Sequence, residues 1–177
     1  MIRLLLIIPT LVRGGAEKQL SLLATGLPRD QFEVHVAVLT HSGPLEDMLR
    51  EAGVPVQVIG KRWKLDPLCY FRLGRHIRAM RPDIVHTWLF AANSYGRQAA
   101  FQAGVKHVVA GERCVDPWKS GWQLTIDRAL AKRTERIVTN SSGVQDFYVS
   151  QGLPAKKFVI IPNGIPATKI VCPTSHP

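Results

Sequence analysis

Cysteine is scarce in this chain, and the three present, Cys69, Cys114 and Cys172, stand far apart with no CxxC pair. That spacing supports neither a disulfide framework nor a zinc site, and makes a reducing cytoplasm the expected compartment. Long hydrophobic runs are missing too: nothing approaches the ~20 apolar residues of a membrane-spanning helix. The N-terminal run Leu4–Ile8 is stopped by Pro9 and followed by Arg13, without a small-residue cleavage site. It reads as a buried strand and not as a signal peptide. There is no GxGxxG fingerprint, no Walker loop, no GxSxG elbow, no HExxH and no pair of carboxylates at a recognisable spacing. Nicotinamide dinucleotide binding, P-loop chemistry and serine or zinc hydrolysis therefore have no support.

Acidic residues are the other shortage, with 13 Asp+Glu against 23 Lys+Arg and a formal charge of +10. The excess is concentrated. Lys61, Arg62, Lys64, Arg72, Arg75, Arg78 and Arg81 face only Asp66 within residues 61–81, which is +6 of the +10. Such a stretch favours an anionic partner or is simply a solvated helix face. Aromatic residues within it are few beyond Trp63, Tyr70 and Phe71, so a single-stranded nucleic acid is poorly supported and none is expected.

What is present is a globular composition: 177 residues, 46% hydrophobic and 20% charged, fitting one domain with a proper core. Short Val/Ile/Leu-rich runs at Arg3–Pro9, Glu33–Leu39, Val56–Ile59, Asp83–Trp88, His107–Ala110, Arg136–Thr139 and Phe158–Ile161 alternate with amphipathic stretches. The stretches are Ala16–Gly26, Leu45–Ala52, Pro67–Met80, Ala91–Ala103, Trp122–Lys132 and Ser142–Ser150, with Gly53, Gly104 and Gly152 where helices should stop. Strict βα alternation predicts an α/β, Rossmann-like, doubly wound and mostly parallel sheet with helices on both faces. With strand order 3-2-1-4-5-6, ligands belong in the crevice beyond the carboxyl ends of strands one and four.

Candidate residues cluster at that edge. After strand one, Gly14 and Gly15 open a helix, where unpaired backbone N–H groups and the dipole favour phosphate. The alternative is a plain tight turn, with Glu17 complementing the dipole. Strand four carries His86, able to bond a sugar hydroxyl or move a proton, and Trp88, able to stack on a sugar or pack in the core. Asn93 follows. Glu112 and Arg113, with Lys119 beyond, are polar groups in the loop after strand five, read either as substrate contacts or as surface ion pairs. Asn140 and Ser141 end strand six with the composition of a helix cap.

These blocks resemble the N-terminal domain of a group 1 (family 4) glycosyltransferase of the GT-B fold. The resemblance lies in Gly14-Gly15-Ala16-Glu17, Pro82-Asp83-Ile84-Val85-His86 with Ala92-Asn93, Arg136 to Ser141, and above all the closing run from Gly152-Leu153-Pro154 through Pro162-Asn163-Gly164-Ile165. It covers residues 1–165 as one acceptor-side domain, leaving 166–177 as an irregular tail. It implies retaining transfer of a sugar from a nucleotide-sugar donor to an envelope, lipid-linked or polysaccharide acceptor. No metal and no cofactor are implied. The glycine loop would approach the donor phosphates. Members often carry a second His two residues after the first, where this chain has Trp88, which puts a sugar-contacting His in doubt. The donor-binding second domain would have to be supplied in cis or in trans, and the chain is expected to be inactive alone. The basic stretch, with Trp63 beside Lys61, Arg62 and Lys64 and with Arg72, Arg75 and Arg78 following, is expected to rest on an anionic membrane surface. The competing reading is a non-catalytic, partner-dependent binding module.

Overall fold

The computed structural model describes residues 1–63 and 65–165; Lys64 and the expected tail at 166–177 lie outside the described residues. Seven strands and six α-helices alternate among the described residues. They are β1 (Ile2–Thr10), α1 (Gly15–Gly26), β2 (Phe32–His41), α2 (Leu45–Glu51), β3 (Val56–Val58), α3 (Pro67–Met80), β4 (Ile84–Trp88) and α4 (Leu89–Gln102). After them come β5 (His107–Glu112), α5 (Gly121–Ala131), β6 (Arg136–Thr139), α6 (Ser142–Ser150) and β7 (Phe158–Ile160). The sheet runs β3-β2-β1-β4-β5-β6-β7 and every pair is parallel. This is the expected order, with a seventh strand added at the edge.

Strand β1 shows why the layers form. Its alternate side chains point to opposite faces. Leu4, Leu6 and Ile8 pack with Leu20 and Ala24 of α1, Val36 and Val38 of β2, and Leu49 of α2. Leu5 and Ile7 pack with Leu73 and Ile77 of α3 and with Ala92, Ala99 and Ala100 of α4. A third cluster joins Ala110 and Ile137 to Ala131, Val144 and Tyr148 of α5 and α6. Truncating Leu5 or Ile7 to alanine would cost about 2–5 kcal/mol. Helix α4 lies so close to the sheet that a Cβ at Gly96 would come 2.6 Å from Thr87 Cγ2.

Helix ends follow local chemistry. Asp66 caps α3 by accepting from the Cys69 N–H at 2.9 Å, with Pro67 opening the helix. Ser120 and Gln123 form a capping box on α5. Pro9 has no N–H for the ladder, and the β1–β2 register breaks between Ile8 and Thr10. Pairing of β1 with β4 ends at Ile7–Thr87, so the chains part beyond it and open a crevice.

Two of the boundaries that differ from expectation bear on the site. Strand β5 continues through Glu112, and α4 begins directly at Leu89. Leu89 sits at φ +67, a left-handed conformation that a branched side chain adopts only under constraint. The strand-to-helix turn after Trp88 is tight enough to require it.

Candidate substrate cleft

The period-2 alternation of β4 and β5 sorts the expected site residues into two groups. On one face His86, Trp88, Gly111 and Arg113 come together. His86 and Trp88 rings lie 5.0 Å apart, and a Cβ at Gly111 would stand 3.4 Å from His86 Nε2. The Arg113 guanidinium covers the Trp88 ring at 4.8 Å. His86 Nε2, Trp88 Nε1 and, at the end of β6, Asn140 Oδ1 are buried without a hydrogen-bond partner. Orphaned polar atoms at the carboxyl edge of a sheet are poised for a hydroxylated ligand. Burial, reinforced by the charge of Arg113, lowers the His86 pKa to about 3. The ring is therefore neutral near pH 7 and suited to hydrogen-bond a hydroxyl, not to act as an acid there.

On the opposite face, Asn93 and Glu112 are sealed inside the protein and turned away from the cleft. Asn93 donates to Glu112 Oε1 at 2.8 Å and to the Gly111 carbonyl at 3.1 Å, and accepts from Thr87 Oγ1 at 2.7 Å. A charged network continues beneath them. Arg97 donates to Asp127 at 2.7 Å, and Lys119 donates to Asp127 and to the Tyr148 hydroxyl, both at 2.9 Å. Tyr148 in turn donates to Asp116 at 2.8 Å. Burial raises the Glu112 pKa to about 7, with Lys119 opposing the rise. Lys119, read in sequence as a loop contact, is a buried strut that ties the 113–120 loop to α5 and α6.

At the glycine loop, Gly14 and Gly15 play different parts. The Glu17 carboxylate folds back over Gly14, accepts from Thr10 Oγ1 at 3.3 Å, and occupies the place a Gly14 Cβ would take. A Cβ on Gly15 would meet nothing within 4 Å, so the approach to the helix N-terminus is open there. Ser141 is exposed and accepts from the Val144 N–H at 3.4 Å, as a cap does.

In the sequence Pro162-Asn163-Gly164 belongs to the closing run that resembles the family, with no contact role attached to it. The structure carries it across the cleft mouth. Gln19 of α1 donates to the Gly164 carbonyl at 2.8 Å and accepts from its N–H at 2.9 Å, while Arg113 donates to Asn163 Oδ1. The cleft thus has a wall from α1 and a strap running from Arg113 to Gln19, with His86 beneath; Trp88 is 3% exposed, packed in the core with Leu6, Ile8 and Leu20 and covered by Arg113. The family-like closing run marked this segment in the sequence, but nothing in it pointed to Gln19 or Arg113 as partners.

The basic stretch is divided by the fold. Lys61, Arg62 and Trp63 precede α3, and Arg72 is held by the Gly60 carbonyl at 2.7 Å and by Asp66 at 3.7 Å. Arg72 and Arg75 border a recess beside β3, whereas Arg78 and Arg81 border another with Asp83 and His107, at the amino ends of the strands. Among the described residues, no group of three or more His, Cys, Asp or Glu is placed to hold a metal ion. No helix of the described residues is long and apolar enough to cross a membrane.

Solved structures share this architecture. HepE from Anabaena in complex with UDP-glucose aligns with TM-score 0.79 and 22% identity, over 93% of this chain and 44% of that one. MurG from Acinetobacter baumannii aligns with TM-score 0.63 and 15% identity, over 96% and 47%. A UDP-GlcNAc 2-epimerase from Methanocaldococcus jannaschii also aligns, with TM-score 0.61 and 14% identity, over 92% and 46%. The chain spans less than half the length of each, and at these identities the likeness shows the fold alone. A search of curated proteins finds no match. The model of Glycosyltransferase Family 4 matches residues 13–169, which takes in the glycine loop, the β4 edge and the Pro-Asn-Gly strap. The chain belongs to Glycosyltransferase Family 4.

Proposed function

We propose that this chain forms the acceptor-side half of a retaining, metal-independent glycosyltransferase whose donor is a uridine-diphosphate sugar. The observation that carries the reading is the set of orphaned polar atoms, His86 Nε2, Trp88 Nε1 and Asn140 Oδ1, gathered at the edge where Gly15 leaves a helix N-terminus open. HepE, of the same fold, is solved with UDP and with UDP-glucose, which supports that donor class. Gly15 receives the diphosphate on its N–H side, Arg113 supplies positive charge, and neutral His86 bonds a sugar or acceptor hydroxyl. Asn93 and Glu112 serve from behind by fixing the β5 end.

Transfer leaves negative charge on the departing diphosphate, which preorganised cations must meet in a dry site. A cleft walled on one side is wet, where each charge is worth far less. The chain alone therefore binds without appreciable turnover, and a donor-binding domain in cis or in trans completes it. We place the protein in the cytoplasm, working at the inner face of the membrane on an envelope, lipid-linked or polysaccharide acceptor. Titration of the chain with UDP-glucose by calorimetry tests the reading: measurable binding that is lost in Arg113→Ala and weakened in Gly15→Val is expected. Absence of binding by a folded chain would overturn it, and sugar transfer by residues 1–177 alone would overturn the half-site argument.

A further inference from the structure

We infer that the groove between α3, α4 and α5 is a binding site for the hydrocarbon chain of a phosphate-headed amphiphile. The groove measures about 500 Å³ and is walled by Tyr70, Phe90, Ala91, Trp122, Ile126 and Leu130. That volume is in the range of small-molecule sites. It lies on the opposite side of β4 from His86 and Trp88, and Phe90 at its end follows Trp88 by two residues, so it opens at the same edge of the sheet.

Most polar groups along the groove already have protein partners, Lys61 Nζ donating to the Trp63 carbonyl, while the Tyr70 hydroxyl is buried without one. Asp66 accepts from the Arg62 and Cys69 N–H groups, each at 2.9 Å, and Ser94 Oγ donates to the Phe90 carbonyl at 2.9 Å. The Tyr95 hydroxyl accepts from the Asp66 N–H at 2.7 Å. The walls therefore offer contact to CH₂ groups and little to a sugar. Around the mouth the surface changes character. Trp63, Leu65, Leu68, Phe71, Trp118 and Trp122 are all exposed, Phe71 to 65% and Trp63 to 61%. An isolated apolar residue on a surface is ordinary, but Leu65 and Trp122 line the groove itself and Trp118 packs edge-on against Phe90 of its wall, and exposed apolar residues at an apolar groove mark an interaction site.

Charge selects the occupant. Lys61 stands in the groove wall with its ammonium 5.3 Å from the Tyr95 ring, and Arg62 is exposed beside it. The one carboxylate in the groove, Asp66, is buried and neutralised by backbone donors and Arg72. Tryptophan and lysine or arginine around an apolar slot are the combination that holds a lipid with its head at the interface. A phosphate head at Lys61 and Arg62 with the chain lying along α4 satisfies both parts.

The test is a titration of the intact chain with single-chain alkyl phosphates of eight, ten and twelve carbons, each below its micellar concentration. Binding is a separate readout from sugar transfer, so this inference and the transferase reading can fail independently. About fourfold tighter binding per added methylene is expected until the groove is full. A neutral dodecyl glycoside should bind more weakly than dodecyl phosphate, and Lys61→Ala should remove most of that difference. Gln98→Trp, an exposed position on the groove wall, and Ile126→Glu should each weaken dodecyl phosphate at least tenfold while UDP binding and the circular dichroism spectrum stay unchanged. Affinity independent of chain length, or unaffected by both variants, would overturn the site. So would binding only to vesicles containing anionic lipid with equal affinity in Gln98→Trp, which would mean a surface that rests on a bilayer without taking a chain. Preferential capture of an amphipathic helical peptide over the alkyl phosphates would likewise overturn it.

Discussion

Acid should unfold this domain through His86. The imidazole is buried, its Nε2 has no acceptor, and Arg113 adds a like charge if the ring protonates. Its folded pKa of about 3 lies below the ordinary imidazole value of 6.5. Between those limits the unfolded chain binds the proton that the folded chain refuses. The contribution to stability is therefore complete above about pH 6.5 and is lost as pH falls toward 3. Each pH unit below 6.5 costs about 1.4 kcal/mol, so at pH 5.0 the loss from this one residue is about 2 kcal/mol. Glu112 works in the other direction. Its folded pKa, raised to about 7, makes its contribution grow as pH falls from 7 toward the ordinary carboxylate range, so the total slope understates the histidine. The variant His86→Gln removes the titration while keeping an amide in the space. Urea unfolding of both proteins between pH 7.5 and 5.0 should show the wild type losing about 2 kcal/mol more than the variant. Parallel profiles, or an NMR titration of the His86 ring with a midpoint near 6.5, would refute the reasoning.

Other perturbations have equally definite outcomes. Gly14→Ala displaces the end of the Glu17 side chain and should cost less than about 1 kcal/mol by thermal unfolding, whereas Gly15→Ala enters open space and should raise stability by about 0.5–1 kcal/mol while weakening UDP binding. Arg97→Met leaves Asp127 with only Lys119 and should cost about 3 kcal/mol by urea unfolding; a loss below 1 kcal/mol would show that the buried network tolerates removal of a member. Burial and Asp116 push the Cys114 thiol up to about 12, so at pH 8 its alkylation by iodoacetamide, followed by peptide mapping, should be at least about a hundredfold slower than that of free cysteine.

Periodicity revealed the layers because it is dictated by the strands themselves. Runs such as Leu4–Ile8 have no polar side and can only be covered on both faces, which fixes a parallel sheet with helices on each side. The strand order and the crevice followed from that. Less visible were features set by partners distant in sequence. Glu112 looks like a loop acid until β5 pairs two residues further and turns it toward Asn93, 19 residues away. Lys119 looks like surface charge until α5 and α6 place Asp127 and Tyr148 around it. Gln19 carries no motif at all, and its bonds to Gly164 span 145 residues.

The division of labour along β4 explains why position in the sequence does not separate these roles. Alternation puts His86 and Trp88 on the α1 side of the sheet and Thr87 on the α4 side, one residue apart, and Trp88 packs in the core with Leu6, Ile8 and Leu20. Any polar residue at the end of this strand therefore belongs either to ligand recognition or to the support of the edge, and adjacency in sequence cannot tell which. On the α4 side every side-chain polar atom of Thr87 and Asn93 has a partner. On the α1 side His86 Nε2 and Trp88 Nε1 are buried and have none. Unsatisfied polar groups are costly where water is excluded, and a fold that satisfies one face of the strand completely could have satisfied the other. The imbalance supports the proposal that the His86 face is the side left for a substrate, with the Asn93 face as the rigid backing behind it.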